Sequence, residues 1–319
     1  MSYSPNSSNT YIIAEIGVNH NGSEKIAQKL IDKAKLAGAD AIKIQIFKSE
    51  ALVSRYTKLA PYQKRNIKSK LSQYDMLKKL ELSNQINIRL FNYCKKKKID
   101  FLTSVFDEES LRFVDRNLKT RVLKIGSGEI TNGPLLFMHA KLGYDIILSS
   151  GNSTISEIEE ALGVLVYGYL HKKNKSVKPS RKIFKKLAYS KEGKNILKKK
   201  VTLLHCISDY PAKIDDLNLN CIRTLKEIFG IKIGYSDHSL GYEAALVATT
   251  LGAKVVEKHI TLNKNLKGPD HKCSMDPIEF KNFVKSVRNV NKMMGTGIKK
   301  PAISEKKNIK HISEQNEQS

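Results

Sequence analysis

The 319-residue chain lacks an uninterrupted apolar run of the roughly 18 residues that a membrane-spanning helix needs. Its first ten residues, MSYSPNSSNT, lack the basic and apolar regions of a signal peptide, and we interpret residues 1–10 as a disordered polar tail. CxxC and zinc-ribbon spacings are also absent, so we interpret the cysteines as reduced thiols: Cys94, Cys206, Cys221 and Cys273. These absences predict a cytoplasmic protein without a membrane span.

Acidic residues are scarce, because 31 Asp and Glu accompany 56 Lys and Arg, for a formal net charge of +25. Such a charge attracts phosphorylated metabolites or polyanions, although a lysine-rich chain also follows from genome composition alone. The excess is greatest in residues 171–200, where 12 Lys and one Arg accompany a single acidic residue, Glu192. We interpret this segment as a solvated insertion that is partly helical or disordered, with a polyanion-docking surface as the alternative. Its aromatic residues are only Phe184 and Tyr189, which disfavours nucleic acid as a partner.

Short apolar runs alternate with amphipathic segments along the chain, which is typical of βα units on a parallel sheet. The runs are YIIAEIG, DAIKIQIF, IDFLTSVF, VLKIGSG, DIILSSG, VTLLHCIS, IKIGYSDHS and KVVEKHITL. Eight such units predict a (β/α)8 barrel over residues 11–295 rather than an open doubly wound sheet. The long polar connection at 48–74 predicts a lid or a flexible insert, and residues 296–319 are interpreted as a polar C-terminal tail.

Polar residues occur near the carboxyl end of nearly every predicted strand, where the βα loops of such a barrel converge. One such residue is usually a satisfied core group, but burying many ionisable groups without partners costs several kcal/mol each. We therefore expect the set to face solvent, a ligand or a metal. Its members are Glu15, Lys43, Gln45, Thr103, Ser104, Lys124, Ser127, Glu129, Ser149, Ser150, His205, Ser208, Tyr210, Ser236, Asp237, His238, Glu257, Lys258 and His259.

The set contains hydrogen-bond donors suited to a phosphate or a carboxylate, and the Gly-rich stretch GSGE offers backbone N–H groups to an anion. These donors are Lys43, Thr103, Lys124, Ser127 and Ser150.

Two histidines from neighbouring strands, His238 and His259, are placed to hold a divalent cation, and the pattern does not choose among Mn²⁺, Mg²⁺, Fe²⁺ and Zn²⁺. Glu15, Glu129 and Asp270 supply carboxylates for proton transfer or for a metal-bound water. An anion site, a metal and acid/base groups in one barrel mouth fit phosphoenolpyruvate chemistry, a metal-assisted aldolase or a phosphohydrolase. Spacing alone does not separate these three.

Longer motifs distinguish the families. In chain order they are IIAEIGVNHNG, GADAIKIQ, LTSVFD, KIGSGE, LSSGNST, LLHCISDYP, IGYSDHSLG, GAKVVEKHIT and GPDHKCSMDP. Together, over about residues 11–305, they resemble the sialic acid synthases, which make N-acetylneuraminate and related nonulosonates. The resemblance implies a transferase on a (β/α)8 barrel that condenses phosphoenolpyruvate with an N-acylated hexose such as N-acetylmannosamine. It also implies that phosphate is released and that a divalent cation, Mn²⁺ or Mg²⁺, is bound.

The resemblance also implies roles for residues of this chain. Glu15, Glu129 and Lys43 would act in catalysis, and His238 and His259 would ligate the metal. The residues implied for phosphoenolpyruvate are Lys43, Thr103, Lys124, Ser127, Ser150 and Ser236. Those implied for the acceptor sugar are Gln45, Tyr210 and Asp270, and Ser208 stands where the family often has Asn.

Members of that family normally continue into a small antifreeze-like C-terminal domain, which reaches into a partner's active site, and this chain ends before it. A homodimer and a separately encoded C-terminal domain are both left open as partners. A catalytically degenerate homologue that binds sugar or phosphate ligands is the alternative function. Another metal-dependent aldolase-type barrel enzyme is a further alternative.

Overall fold

The computed structural model describes residues 9–67, 71–171 and 178–306. Eight parallel strands close into a barrel in which each strand pairs with the next along the chain and β8 pairs with β1. The strands are β1 Tyr11–Gly17, β2 Ala41–Ile46, β3 Asp100–Val105, β4 Val122–Ile125, β5 Asp145–Ser149, β6 Val201–Cys206, β7 Lys232–Asp237 and β8 Val255–His259. The predicted (β/α)8 barrel is confirmed, and each strand lies in one of the eight apolar runs.

Helices connect the strands on the outside of the barrel. They are α1 Glu24–Ala37, α2 Ser49–Leu52, α3 Pro61–Ile67, α4 Gln73–Leu80, α5 Asn84–Lys97, α6 Glu108–Asn117, α7 Gly133–Leu142, α8 Ile155–His171, α9 Arg181–Tyr189, α10 Lys191–Lys200, α11 Cys221–Phe229, α12 Glu243–Thr250 and α13 Pro277–Met294. No helix within the described ranges is long and apolar enough to cross a membrane.

Local sequence signals explain where these helices begin and end. At the start of α1 the Ser23 hydroxyl accepts a hydrogen bond from the Ile26 N–H, and the helix ends at Gly38, whose φ of 89° suits glycine. At α13, Asp276 and Glu279 form a capping box, with Pro277 at the first helical position.

The predicted basic insertion at 171–200 contains α9 and α10, while residues 172–177 lie outside the described ranges. The Phe184 ring lies edge-on to the Tyr167 ring of α8, with 5.5 Å between centroids. Arg181 forms an ion pair with Glu160, which also belongs to α8, at 3.1 Å. The helical part of the expectation therefore matches α9 and α10, and the polyanion-docking alternative stays a prediction. Of the two expected polar tails, residues 1–8 and 307–319 also lie outside the described ranges.

The barrel interior has two layers, because alternate residues of a strand face opposite sides. The lower layer, toward the amino ends of the strands, is a buried apolar cluster of Tyr11, Ile13, Ala41, Leu102, Val122, Ile147, Leu204 and Val255. The next inward positions are polar on most strands. Residues of the opposite parity, such as Ile42, Leu123 and Tyr235, join the larger core between the strands and the helices. The apolar layer therefore closes the lower end of the barrel and leaves the upper end for polar groups.

Gly234 of β7 packs closely against this lower layer. A Cβ added there would lie 2.4 Å from the Val255 carbonyl oxygen and 2.5 Å from Leu204 Cδ2. We expect Gly234→Ala to lower the free energy of unfolding by about 1–3 kcal/mol, because strand backbone cannot move aside without strain. Gly133→Ala is the matched control, since its new methyl group would meet no atom within 4 Å. Thermal and urea unfolding of both variants measure this, and equal stabilities would contradict the steric argument.

Candidate active site

A cavity of about 540 Å³ opens at the carboxyl ends of the strands. Most of the residues selected from the sequence line it: Glu15, Lys43, Gln45, Lys124, Ser127, Ser208, Tyr210, Ser236, His238, His259 and Asp270. A larger groove of about 990 Å³ lies on the outside, between α1 and the start of α13. That groove receives no residue from any strand and no histidine or cysteine, so we place the chemistry in the barrel mouth.

The centre of the cavity is a buried cluster of two lysines and two glutamates. Glu257 of β8 accepts hydrogen bonds from Lys124 Nζ at 2.9 and 3.1 Å and from the Ser236 hydroxyl at 3.2 Å. Lys43 Nζ lies 3.3 Å from Glu257 and 2.9 Å from Glu15. Glu257 was selected from the sequence only as one of many strand-end polar residues, with no role assigned. Its central position became evident only from the three contacts that converge on it.

The four charges shift one another's pKa values. Burial raises the pKa of Glu15 to about 7, against the opposing effect of Lys43. Burial acts in the same direction on Glu257, but there Lys124 and Lys43 overcome it and hold the pKa below its usual range. Burial lowers the pKa of Lys124, and for Lys43 the carboxylates of Glu15 and Glu257 outweigh burial and raise it. Glu15 is therefore the member of the cluster that exchanges a proton near neutral pH.

Two of the expected hydrogen-bond donors, Thr103 and Ser150, lie outside the cavity because alternate strand residues face opposite sides. Thr103 is fully buried, has the parity of the outward-facing Phe101 and Val105, and donates its hydroxyl to the Ser104 carbonyl at 3.1 Å. Ser104 faces inward instead, where its hydroxyl lies 3.2 Å from Lys43 Nζ. A strand residue and its neighbour face opposite sides, so one of the two lines the cavity and the other does not.

At the end of β5, too, the neighbour of the expected residue lines the cavity in its place. Ser150 donates its hydroxyl to the Leu204 carbonyl at 2.9 Å, whereas Ser149 lines the cavity with a buried hydroxyl that has no protein partner among the described residues. Glu129 is half-buried in the turn after β4 and accepts a hydrogen bond from Asn132 at 2.7 Å. It is not among the cavity residues, so its role in catalysis stays a prediction.

His238 and His259 lie side by side in the cavity wall, with 5.5 Å between ring centroids. His238 Nδ1 lies 2.6 Å from the Ile207 carbonyl, which accepts its proton and leaves Nε2 available as an acceptor or ligand. His259 Nδ1 is buried without a hydrogen-bond partner. Burial and the neighbouring His238 hold the pKa of His259 well below its usual range, so its ring is neutral, the form that ligates metals.

The described residues contain no group of three or more His, Cys, Asp and Glu side chains arranged to hold a metal ion. A cation at the histidine pair would therefore need further ligands from a substrate or water, as catalytic sites with open positions do. Asp270 lines the same cavity, and burial raises its pKa to about 6. The unpartnered Nδ1 and the neutral ring of His259 fit a divalent cation. The pKa of His238 is raised, because Cys206 and the Ile207 carbonyl outweigh burial, so a cation would displace a proton from that ring.

The long connection after β2 covers part of the mouth, as expected for a lid. Its helix α3 places Tyr62 in the cavity wall, where the ring packs on Tyr210 at 4.8 Å between centroids. Arg65 forms an ion pair with Asp209 at 2.9 Å, and Asn66 donates to the Pro269 carbonyl at 2.6 Å. The length of the connection was the only sequence signal, and it could not select Tyr62 because no spacing rule places a lid residue.

A family model described as the NeuB family matches residues 30–299. The chain belongs to the NeuB family. It is 43% identical over 300 residues to an N,N'-diacetyllegionaminic acid synthase of Campylobacter jejuni, covering 94% of this chain and 82% of that protein. The synthase of the same name from Legionella pneumophila is 41% identical over 295 residues, covering 92% and 76% of the two chains.

Among solved structures, the N-acetylneuraminic acid (sialic acid) synthetase of Leptospira borgpetersenii in complex with citrate superimposes with a TM-score of 0.74. It is 31% identical, and the match covers 95% of this chain and 91% of that one. The resemblance to sialic acid synthases drawn from the motifs is therefore confirmed for this NeuB-family chain.

The raised pKa of Glu15 predicts a pH-dependent stability. Glu15 binds its proton more tightly in the folded protein, so this contribution is fully present below pH 4.5 and is lost as the pH rises through about 7. Between these limits we expect the free energy of unfolding of the wild type to fall by about 3 kcal/mol because of Glu15. The Glu15→Gln variant should lack this fall, because its side chain does not titrate. Urea unfolding from pH 4.5 to 8.5 compares the two proteins. Parallel pH profiles would show that Glu15 does not titrate in this range.

Proposed function

We propose that this protein is a nonulosonic acid synthase, which condenses phosphoenolpyruvate with an N-acylated hexose and releases phosphate. The observation that carries the proposal is the cavity itself: two lysines and inward hydroxyls lie beside two histidines, in a barrel of the NeuB family. The lysines supply the anion site, and the histidines and carboxylates supply the groups that a carbonyl addition needs.

The lysine side of the cavity suits phosphoenolpyruvate. Lys43 and Lys124 offer positive charge, and Ser104 and Ser236 add hydroxyl donors within hydrogen-bond distance of the same cluster. In the free protein both lysines are neutralised by carboxylates, so an incoming anion competes with them. The substrate takes over the lysine charge that Glu15 holds in the free protein, and Glu15 stays in the cavity as a carboxylate. The cluster is thus set to exchange an internal anion for the substrate.

His238 and His259 would hold a divalent cation, for which we propose Mn²⁺ or Mg²⁺. When bound, the cation supplies a Lewis acid that polarises the aldehyde of the open-chain acceptor. Asp270 lies in the same wall and is placed to orient acceptor hydroxyls. The Ile207 carbonyl fixes the tautomer and the direction of the His238 ring.

The proposed reaction joins C3 of phosphoenolpyruvate to the acceptor aldehyde carbon and develops positive charge at C2. Water then adds at C2, and the tetrahedral product of that addition expels phosphate. Glu15, in its ionised form, takes one proton from this water and returns it to the alkoxide oxygen formed at the aldehyde carbon, since it lies in the cavity beside Lys43 and titrates near neutral pH. The remaining hydroxyl proton at C2 leaves with the phosphate. Lys43 and Lys124 stabilise the phosphate that leaves.

For the acceptor we propose a hexose with two acetamido groups rather than N-acetylmannosamine. Two relatives more than 40% identical to this chain carry the name of N,N'-diacetyllegionaminic acid synthase. The outer wall of the cavity includes Pro61, Tyr62, Phe106 and Tyr210, which offer apolar surface to acetamido methyl groups. Gln45 and Ser208 add polar contacts in the same wall.

The activity is tested by phosphate release from phosphoenolpyruvate. We expect release only when the acceptor and Mn²⁺ or Mg²⁺ are both present, with diacetamido hexoses favoured over N-acetylmannosamine and over altrosamine-type sugars. Mass spectrometry of the nine-carbon product accompanies the phosphate assay. Binding of phosphoenolpyruvate without turnover on any of these acceptors would favour a degenerate, ligand-binding homologue.

The position of the anion site is tested at two adjacent residues. We expect Ser104→Ala to raise the KM for phosphoenolpyruvate about tenfold, because a hydrogen bond to a charged group contributes about 1.5–3 kcal/mol. Thr103→Val is the matched control, since it removes a neighbouring hydroxyl that faces the helices, and its KM should be unchanged. Steady-state kinetics at saturating acceptor measure both. A raised KM for the Thr103 variant alone would restore the assignment made from the sequence.

A further inference from the structure

We propose that Asp237 and Lys258 are positioning residues, which fix the two histidines of the site through a contact on the helix-facing side of β7 and β8. Lys258 Nζ lies 2.9 Å from Asp237 Oδ2, and both side chains are 0% exposed. Neither residue lines the cavity, and each directly precedes a histidine that does: His238 follows Asp237, and His259 follows Lys258. The inference rests on the proposed function, because it assigns the histidine pair to a divalent cation.

The pair joins the two strands at the level of the site. Asp237 and Lys258 are register partners in the β7–β8 ladder, and they share the outward parity of Tyr235 and Val256 in the outer core. Because neighbouring strand residues face opposite sides, a contact on the helix side sets where the next residue of each strand enters the cavity. The relative height of the two imidazoles therefore depends on this contact.

The contact extends past His238 to the following residue. Ser239 donates to Asp237 Oδ1 from its backbone N–H at 2.9 Å and from its hydroxyl at 2.6 Å. Lys258 Nζ donates to the Ser239 carbonyl at 2.6 Å. The residues on both sides of His238 are thus tied to one another and to β8. Only the imidazole ring is left to extend into the mouth, where the Ile207 carbonyl accepts its Nδ1 proton.

Stability alone does not account for such a pair. A fully buried ion pair gains little over apolar side chains of similar volume, because desolvation of both charges offsets their attraction. The neighbouring strand residues include the apolar Val256 and Ile260, and the Tyr235 hydroxyl donates to Asp237 Oδ1 at 3.4 Å. What the ion pair and Ser239 add is a defined geometry for β7 and β8 at the two histidines.

The test replaces the pair with apolar residues and measures metal binding directly. We expect the double variant Asp237→Leu, Lys258→Met to fold with a lowered Tm, because the Ser239 N–H and hydroxyl lose their acceptor, and to bind Mn²⁺ alone about 10–100-fold more weakly. Electron paramagnetic resonance of free Mn²⁺ gives the affinity without any turnover. We expect kcat to fall while the KM for phosphoenolpyruvate stays unchanged, since the lysine cluster is untouched.

A control for position removes a partly exposed ion pair at the opposite end of the barrel. Lys200 lies 2.7 Å from Asp145, at the amino end of β5, so the double variant Asp145→Leu, Lys200→Met should bind Mn²⁺ as the wild type does. Ser239→Ala keeps the ion pair and loses one hydrogen bond, and we expect it to weaken Mn²⁺ binding about threefold even if the core double variant does not fold.

Unchanged Mn²⁺ affinity in the Ser239 variant and in a folded core double variant would overturn the positioning role and leave the proposed function standing. Equal losses in the core variant and the Asp145–Lys200 control would overturn it too, because they would show a general effect of stability. A wild-type protein that binds no Mn²⁺ would overturn both this role and the metal part of the proposed function.

Discussion

The Glu257 carboxylate makes the contact on which the barrel mouth depends. It accepts hydrogen bonds from Lys124 and Ser236 and lies 3.3 Å from Lys43, directly above an apolar layer that closes the barrel. Without it two ammonium groups would share a dehydrated space with only Glu15 to compensate them, at a cost of several kcal/mol. The same contact keeps the site neutral until an anionic ligand arrives. The Glu257 carboxylate therefore both stabilises the folded barrel mouth and controls anion binding.

The alternation of side chains along each strand decides which residues face the cavity beside this contact. Along β8, Glu257 and His259 face the cavity, whereas Lys258 between them faces the helices and pairs with Asp237. One short strand thus supplies an anion-site residue, a proposed metal ligand and the residue that positions it. A parallel barrel can repeat this on each strand because its inside and outside are both covered.

Much of the fold followed from the sequence because its signals are local. Eight β-branched runs separated by helical patterns admit few arrangements, and the barrel is the one found. Most of the strand-end polar residues also lie together in the cavity as expected, since the carboxyl ends of parallel strands share one face. His238 and His259 lie side by side for this reason. The length of the connection after β2 indicates a lid. It does not indicate Tyr62, because the position of Tyr62 depends on how α3 packs on Tyr210.

The sequence by itself determined the barrel, the end that carries the chemistry, and the residue types available there. Only the tertiary structure decided which member of each adjacent pair enters the cavity: Ser104 rather than Thr103, and Ser149 rather than Ser150. Both members of each pair are small hydroxyl residues, so neither composition nor spacing distinguishes them. The choice is made by the tilt and register of the closed barrel, which depend on contacts between strands far apart in the chain.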